Sequence, residues 1–462
     1  MTDLRFSAAA VPTDVQSICR ALRDRGHRAW IVGGCVRDVI MGREVSDWDV
    51  CTDAKPEQIL ATFPRAIPTG IKHGTLTVVK NKVHYEVTTL RGEGTYSDGR
   101  RPDEVHFVDD ITEDLLRRDF TVNAMAVDSA TFMLVDPWGG QRDLEAKILR
   151  AVGDARARFS EDGLRVLRAA RFCAQLEFAL DPATASAIPE TLETYRKVSL
   201  ERVRDEWVKA MKAKQPSRAF DVMREGGILQ ITCPELLEGA GCEQNRHHVY
   251  DVWGHAMACM DACAAGDPIL RIAALFHDVG KPRSRAWSDK TEDYTFYGHE
   301  RIGAEMVEPI CTRLRFSNDE RVRITELVRQ HMWHYDGWQD ATVRRWIRRV
   351  GLERIEDLYR LRDADILGKG PGKTDDEDFA RTQALRAHVE RILAEGSALT
   401  VRDLTISGRD LMSELGLAPG RILGQILEHL LEQVLEQPEL NERAELLARA
   451  RQFVEGNAAS SL

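Results

Sequence analysis

The chain has 462 residues, of which 43% are hydrophobic, and its formal net charge is −10 at pH 7. This length predicts several domains rather than one core. The acidic balance excludes a protein that coats nucleic acid indiscriminately, although it allows a local basic face for RNA. The nine cysteines form no CxxC pair, which disfavours a zinc ribbon or a disulfide framework and predicts a reducing, cytoplasmic location. We find no signal peptide and no apolar run near 18 residues, so we expect no membrane partner.

The first chemically informative stretch is residues 29–50. The apolar run RAWIV predicts a strand, and Gly33 and Gly34 separate it from an amphipathic segment around Arg37. A glycine pair at this point lets the backbone approach a ligand, and the start of the helix behind it suits a phosphate group. Apolar positions over residues 11–26 predict a leading helix that packs against this part of the chain.

The sequence SDWDV then places two aspartates two residues apart. On a strand, Asp47 and Asp49 would project from the same face, about 6.6 Å apart along the strand. Such a pair suits two Mg²⁺ ions, which hold the reacting oxygens in line and neutralise charge during nucleotidyl transfer. An Asp-x-Asp pair is expected by chance about once in a chain of this length. The assignment therefore depends on the glycine turn before it and on the motifs after it.

In this order, Gly-Gly, Arg-Asp and Asp-x-Asp resemble the polymerase-β-type nucleotidyltransferase head. More narrowly, they resemble the class II tRNA nucleotidyltransferases (CCA-adding enzymes) and the related bacterial poly(A) polymerases. The resemblance implies that Asp47 and Asp49 are catalytic residues that bind Mg²⁺. It also implies that Gly34 and Arg37 bind the nucleotide. It further implies that Glu86, on the predicted strand VHYEVTTL, is the third acidic catalytic residue, the alternative being an ordinary surface glutamate.

Residues 91–104, RGEGTYSDGRRPDE, are rich in glycine and charge and predict a mobile loop. In the CCA-adding family a loop at this place is needed to add the final A. Its presence here therefore favours an enzyme that can add A.

The string RRDFTVNA follows and is highly specific to this family. Because arginine is a rigid bidentate donor to phosphate, the resemblance implies that Arg118 contacts the triphosphate, while Asp119 and Asn123 shape the site. DPWGGQRDL, at 136–144, resembles the family's neck hinge. Its Gly139–Gly140 pair would form the bend, although a simple turn fits equally well.

The stretch FSEDGLRVLRAARF, at 159–172, predicts a helix with a second functional site. Asp162 and Arg165 would share one helix face, and a surface salt-bridge ladder is the plain alternative. The string resembles the family motif whose Asp and Arg pair with the incoming base. Cytosine and adenine offer an amine and a ring acceptor to that pair, whereas guanine and uracil offer carbonyls and a ring N–H. Arg168 and Arg171 would hold phosphate or the pair itself, and ERVRDEW, at 201–207, would support it.

A second set of metal-type residues occurs between residues 240 and 370. Histidines lie in VWGHAM, AALFHDVGK, FYGHE and VRQHMWH, and an aspartate lies in RDADIL. Imidazoles with an adjacent His-Asp pair on separate helices suit a transition-metal hydrolase site, and their order resembles the HD phosphohydrolases. The resemblance implies one or two divalent metals bound by His255, His277, Asp278, His299, His331 and Asp365. Asp363 is a rival for the last position.

Together, these resemblances imply an α+β fold with four parts. A polymerase-β-like head of mixed sheet and helices (1–135) precedes an all-α neck and body (136–240), an α-helical HD phosphohydrolase domain (241–370) and an α-helical tail (371–462). The tail would hold tRNA. Candidate RNA contacts are Arg402, Arg409, Arg421 and the segment VRRWIRRV at 343–350.

The function implied is addition of CCA to the tRNA 3′ end from CTP and ATP without a nucleic-acid template, with Mg²⁺ in the head. The HD site would add phosphatase or phosphodiesterase activity on phosphate monoesters or 2′,3′-cyclic ends. A poly(A) polymerase is one alternative, but AARFCAQLEFAL lacks the basic run associated with those enzymes. Others are an A-only member of the same family, a metal phosphohydrolase with a vestigial head, and a tRNA-binding scaffold.

Overall fold

The computed structural model of the protein describes residues 6–71, 74–92, 106–246, 248–373 and 376–459. Most of the predicted loop at 91–104 therefore lies outside the described residues. The chain divides into two compact units. The first comprises Met1–Leu237, Ala265–Pro268 and Ile310–Phe316, and the second comprises Glu238–Ala264, Ile269–Pro309 and Ser317–Leu462.

The first unit begins with the predicted α+β head. Its elements are α1 (Thr13–Arg23), β1 (Ala29–Val32), α2 (Gly34–Ile40), β2 (Asp49–Thr52), α3 (Pro56–Thr62), β3 (Ile67–Gly70), β4 (Thr75–Lys80), β5 (Val83–Thr89), α4 (Ile111–Leu116), β6 (Ala126–Asp128) and β7 (Leu134–Val135). The strands form one mixed sheet in the order β3-β4-β5-β2-β1-β6-β7. Neighbouring strands are antiparallel except for β2 and β5, which are parallel.

The core of this sheet explains why its central strands hold the site firmly. Trp30, Val32, Cys51 and Leu90 are buried together with Leu115 of α4. The leading helix α1 is also confirmed, with buried Val15, Ile18, Cys19 and Leu22 at the spacing of one helical face. Apolar burial on both faces thus fixes β1 and β2, and their ends carry the glycine pair and Asp49.

The rest of the first unit is mainly helical, as predicted. Its elements are α5 (Gly140–Ala146), β8 (Ile148–Leu149), α6 (Ala155–Glu161), α7 (Leu164–Leu176), β9 (Ala179–Leu180), α8 (Pro182–Glu190), α9 (Leu192–Tyr195), α10 (Leu200–Ala210), α11 (Ser217–Glu225) and α12 (Ile228–Thr232). The short parallel pair of β8 and β9 was not predicted. The expectation of one helix through residues 159–172 was wrong, because the chain turns between Glu161 and Leu164.

The second unit is helical apart from one hairpin. Its elements are α13 (Val252–Ala262), α14 (Pro268–Phe276), α15 (Lys281–Ser284), β10 (Ala286–Ser288), β11 (Asp293–Thr295), α16 (His299–Arg313), α17 (Asn318–Gln330), α18 (Asp340–Val350), α19 (Leu352–Gly368), α20 (Asp376–Ala394), α21 (Gly408–Leu415), α22 (Arg421–Glu436) and α23 (Arg443–Ala459). Pro268 of α14 and residues 310–313 of α16 belong to the first unit. In the described ranges, no helix is both long and apolar enough to cross a membrane.

The basic segment at 343–350 falls on α18, where glutamates of α22 pair with it. Arg345 contacts Glu436 at 2.7 Å and Arg348 contacts Glu432 and Glu428, while Arg344 donates to the Leu435 carbonyl at 2.7 Å. These arginines therefore join two helices of the second unit. Their role as RNA contacts stays a prediction, and the ion pairs disfavour it.

Candidate active sites

Three carboxylates meet at one end of the head sheet. Asp49 is the first residue of β2, and its register partner on the parallel strand β5 is Glu86. Asp47 lies in the loop before β2, so the expectation that both aspartates occupy the strand was wrong. Both nevertheless line the same cleft with Glu86. Strand register, rather than the alternation of side chains along one strand, brings Asp49 and Glu86 together.

Asp49 is crowded by the other two acids. Burial, followed by repulsion from Glu86, raises its pKa to about 6, and Asp47 adds to this shift while Arg118 opposes it. Crowded carboxylates that resist ionisation favour a bound cation, because the cation replaces the lost hydration and cancels the repulsion. Carboxylate oxygens are also the ligands that Mg²⁺ prefers. The residues present therefore fit a Mg²⁺ site.

The glycine turn next to this acidic group leaves room for an arginine. Gly33 has a φ of +82°, and a Cβ there would lie 2.9 Å from Nη1 of Arg118. Arg118 is held by Asp114 of α4, whose Oδ2 lies 3.2 Å from Nη2. Burial opposes ionisation of Asp114, but Arg117 and Arg118 outweigh it and lower the pKa of that carboxyl. Arg118 thus stays charged beside the acidic group, and Asp114, which the sequence analysis missed, holds it there.

Arg37 lies deeper and has protein partners on several sides. It donates to both carboxylate oxygens of Asp38, at 2.9 and 2.8 Å, and to Asn123. Asn123 in turn donates to Asp119 at 3.1 Å. Asp119 and Asn123 therefore hold arginines of the cleft in place, and their role in shaping the site stays a prediction.

Asp162 lies at the turn between α6 and α7, before the first helical residue of α7. Its carboxylate accepts the backbone N–H of Leu164 at 3.0 Å and the guanidinium of Arg202 at 3.1 Å. Asp162 and Arg165 therefore do not share a helix face as predicted. A hydrogen bond from the backbone N–H of Leu164 and an arginine of α10 orient the carboxylate instead.

Arg165 is held by contacts to two segments, helix α6 and the residue that follows α4. Its Nη1 donates to the Arg158 carbonyl at 2.8 Å and to Glu161 at 2.6 Å, and its Nη2 donates to the Arg117 carbonyl at 2.7 Å. A guanidinium has five N–H groups. Two of them therefore remain to serve a ligand, in an orientation that the other contacts determine.

The last two predicted arginines of α7 form ion pairs with buried carboxylates. Arg168 donates to Asp119 at 2.7 Å, and Arg171 donates to Glu206 of α10 at 2.6 Å. Burial opposes ionisation of Asp119, but Arg168 and the Asn123 hydrogen bond outweigh it and lower the pKa to about 2. Arg171 also lies over the Phe172 ring, 4.0 Å from its centroid. Both arginines stay charged. Asp119 of the head holds Arg168, and Glu206 of α10 holds Arg171.

All of the residues predicted for nucleotide and Mg²⁺ binding line one cleft of about 670 Å³ within the first unit. They are Gly34, Arg37, Asp47, Asp49, Glu86, Arg118, Asp162, Arg165, Arg168 and Arg171. Arg202 also lines the cleft and was not predicted individually. Its only signal in the sequence was its place in ERVRDEW.

The second site contains four buried histidines in one tautomeric form. Each ring lies with Nδ1 against a backbone carbonyl: His255 against Gly368 at 3.0 Å, His277 against Ala274 at 2.7 Å, His299 against Phe296 at 2.7 Å and His331 against Val328 at 2.6 Å. A carbonyl only accepts hydrogen bonds, so it assigns the proton to Nδ1. The Nε2 atoms are then lone-pair donors.

These Nε2 atoms converge in two pairs. The Nε2 atoms of His255 and His277 are 3.2 Å apart, as are those of His299 and His331. Two lone pairs at this distance repel unless a cation lies between or beside them. Asp278 joins the pairs, since its Oδ2 lies 3.3 Å from His255 and its Oδ1 lies 3.2 Å from His299.

The remaining ligand position is occupied by Asp365 of α19. Its Oδ1 lies 3.1 Å from Nε2 of His255, and Cys259, one turn after His255, also borders this group. The ligand-type atoms of His255, Cys259, His277 and Asp365 lie within 4.8 Å of one another, as do those of Asp278, His299 and His331. Asp363 belongs to neither group. Imidazoles with carboxylates, and a thiol nearby, fit a divalent transition metal.

Comparison with known families matches three separate stretches of the chain. Residues 29–150 match the poly A polymerase head domain, residues 177–239 match the probable RNA and SrmB-binding site of polymerase A, and residues 298–450 match tRNA nucleotidyltransferase domain 2.

Similar curated proteins are CCA-adding enzymes. That of Listeria monocytogenes serotype 4b is 47% identical over 236 residues, which are 51% of this chain and 58% of the relative. That of Lactobacillus johnsonii is 45% identical over 211 residues, which are 46% of this chain and 53% of the relative. The chain thus spans somewhat more than half the length of these relatives.

Solved structures extend the likeness over nearly the whole chain. The Bacillus stearothermophilus CCA-adding enzyme in complex with CTP has a TM-score of 0.73 and 26% identity, covering 96% of this chain and 98% of that one. The Thermotoga maritima CCA-adding enzyme complexed with tRNA has a TM-score of 0.57 and 17% identity, covering 98% and 100%, and shows a shared fold.

Proposed function

We propose that this chain, which belongs to the nucleotidyltransferase family that carries the poly A polymerase head domain, adds C, C and A to the 3′ end of tRNA from CTP and ATP. The observation that carries the proposal is the single cleft that joins the acidic group of the head to Asp162 and Arg165. CTP in the Bacillus stearothermophilus structure and the tRNA-processing relatives support the choice of substrates.

The residues of the head divide the chemistry between them. Asp47 and Asp49 would hold Mg²⁺, with Glu86 beside them, and the metal when bound supplies neutralisation of phosphate charge. Arg118 stays charged next to these acids and would bind the triphosphate. Attack by the RNA 3′ oxygen forms the new phosphodiester bond, the bond to pyrophosphate breaks, and the hydroxyl proton leaves to water.

Base choice would rest on Asp162 and Arg165. The carboxylate accepts from the exocyclic amine of cytosine or adenine, and the guanidinium donates to the ring acceptor on the same edge. Because protein contacts fix both side chains, guanine and uracil would meet repelling groups, an acceptor facing a carbonyl and a donor facing an N–H. The protein thereby takes the place of a template strand.

The buried histidine site supports a second proposed activity, metal-dependent hydrolysis of phosphate esters. His255, His277, Asp278 and Asp365 would hold one divalent transition metal, and Asp278, His299 and His331 would hold another. The metals when bound supply an activated water. Hydrolysis of a monoester or a 2′,3′-cyclic end breaks a P–O bond, and water supplies the hydroxyl to phosphorus and the proton to the ribose oxygen.

The proposal includes the four-part division of the chain at residues 135, 240 and 370, with the tail contacting tRNA. Within the family, the alternatives are a poly(A) polymerase and an A-only enzyme. Sequencing the 3′ ends made from tRNA without CCA, with CTP and ATP present, separates the three. Addition of CCA supports the proposal, whereas long A tails without a CTP requirement, or no C at all, would overturn it.

The two proposed sites can be separated by substitution. Asp49→Ala should lower nucleotide incorporation at least about a hundredfold, on the scale of removing one charge-stabilising group, and should leave phosphatase activity intact. His277→Ala should do the converse. Loss of both activities from either substitution would contradict independent sites.

A further inference from the structure

The buried histidine site opens into a cavity of about 510 Å³ within the second unit. Two kinds of side chain line this cavity besides the ligand-type residues. One set is cationic, namely Lys281, Arg362 and Lys369, and the other is apolar, namely Phe296, Tyr297 and Met332. A cavity with both kinds of wall suits a ligand with an anionic end and an apolar end.

Each member of the cationic set pairs with a carboxylate, and two of these carboxylates, Asp278 and Asp365, line the same cavity. Lys281 lies 2.6 Å from Asp278, Arg362 lies 3.0 Å from Asp365, and Lys369 lies 2.6 Å from Asp378. Each divalent ion bound by Asp278 and Asp365 would add two positive charges to these balanced pairs. A phosphate group would supply the compensating negative charge at this end of the cavity.

The apolar set includes side chains that are exposed beside the ligand-type histidines. Tyr297 is 86% exposed and follows Phe296, whose carbonyl accepts a hydrogen bond from His299. Met332 is 52% exposed and directly follows His331. An aromatic ring as exposed as that of Tyr297 contributes little to the core. Because Tyr297 lies two residues before His299, its backbone nevertheless stays close to the histidine cluster.

We propose that Tyr297 stacks against the base of a ribonucleotide whose ribose phosphate lies at the histidine and aspartate cluster. The inference rests on the proposed phosphohydrolase function and specifies its substrate as a nucleotide or RNA 3′ end rather than a small phosphate ester. Stacking on an aromatic ring tolerates any base, because every base has a π face. Met332 adds a polarisable contact at the same rim.

The test compares Tyr297→Ala and Tyr297→Phe with Trp287→Ala. Trp287 is a matched control because it is 57% exposed on the adjacent hairpin but does not line the cavity. Calorimetry measures binding of uridine 3′-phosphate with and without added Mn²⁺. Uracil is chosen because the head cleft is expected to refuse it. Hydrolysis of 2′,3′-cyclic UMP and of glycerol 2-phosphate, an ester without an aromatic ring, is measured on the same proteins.

We expect Tyr297→Ala to raise the Kd of uridine 3′-phosphate and the KM of the cyclic nucleotide about tenfold, the size of one lost stacking contact. Its hydrolysis of glycerol 2-phosphate should be unchanged, and Tyr297→Phe and Trp287→Ala should match the wild type. Equal losses on both esters, or no change on either, would overturn the role of Tyr297 while leaving the phosphohydrolase function standing. A wild type that hydrolyses neither ester with Mn²⁺, Co²⁺ or Ni²⁺ would overturn that function and this inference together.

Discussion

Arg202 of α10 donates a hydrogen bond to the carboxylate of Asp162 across 3.1 Å. Both side chains are largely buried in the cleft. The carboxylate that we propose to accept from the amine of an incoming base is thus oriented from behind by a guanidinium of another helix. On that proposal, Arg202 would act as a positioning residue for base choice.

Arg202→Ala should release Asp162 and weaken base discrimination. We expect incorporation of U and G relative to C and A to rise about tenfold, on the scale of one charged hydrogen bond, with a smaller loss of stability. Competition assays with mixed nucleotides and sequencing of the products measure the ratio. Arg204→Ala is the control, because Arg204 lies on the same helix and pairs with its neighbour Asp205. Equal discrimination in both variants would contradict the positioning role.

The ion pair of Arg171 and Glu206 is buried, so removing one partner should destabilise the folded protein. Glu206→Ala leaves a buried guanidinium without its main partner, so we expect the free energy of unfolding to fall by about 3–5 kcal/mol. Urea titration of the wild type and the variant measures it. Glu193→Ala removes an exposed partner of Arg196 and should cost no more than about 1 kcal/mol. Similar losses of unfolding free energy in the two variants would show that burial does not determine the contribution of an ion pair to stability.

The predicted hinge glycine Gly140 is tightly packed. A Cβ at this position would overlap the carbonyl oxygen of Thr121 and lie 2.8 Å from Met125. We expect Gly140→Ala to destabilise the protein by about 1–3 kcal/mol, as overpacking does, measured by urea unfolding. Gly424→Ala is the control: Gly424 lies inside α22 with nothing near its absent Cβ. That substitution should stabilise by about 0.5–1 kcal/mol. A stabilising Gly140→Ala would contradict the observed packing.

The cysteines should be unreactive in the folded protein. All nine are free and buried, and burial raises the pKa of Cys19 and Cys35 to about 11 and that of Cys51 and Cys173 to about 12. At pH 8 these groups are protonated thiols rather than nucleophilic thiolates. A chromogenic disulfide reagent should therefore label almost none of them natively and all nine in denaturant. Rapid native labelling at pH 8 would contradict this expectation.

The sequence by itself predicted much of the fold and the residues that line the proposed sites. The glycine turn, the acidic pair, RRDFTVNA and the histidine series are short, local patterns, and the structure gathers them into two sites. Helical and strand periodicity also located α1, β1, β4 and β5, because each buries one face or is buried throughout.

Only the tertiary structure decided how those residues are held. Asp47 lies in the loop before the strand on which it was predicted, and Asp162 lies in the turn between α6 and α7 rather than inside a helix. At both places the chain turns where the local periodicity predicted a continuous element. Asp365 joins the histidines and Asp363 does not, since residues two apart on a helix point in different directions and only packing fixes the rotation of α19. The partners Asp114, Arg202 and Glu206 are likewise set by long-range contacts, which local patterns along the chain do not reveal.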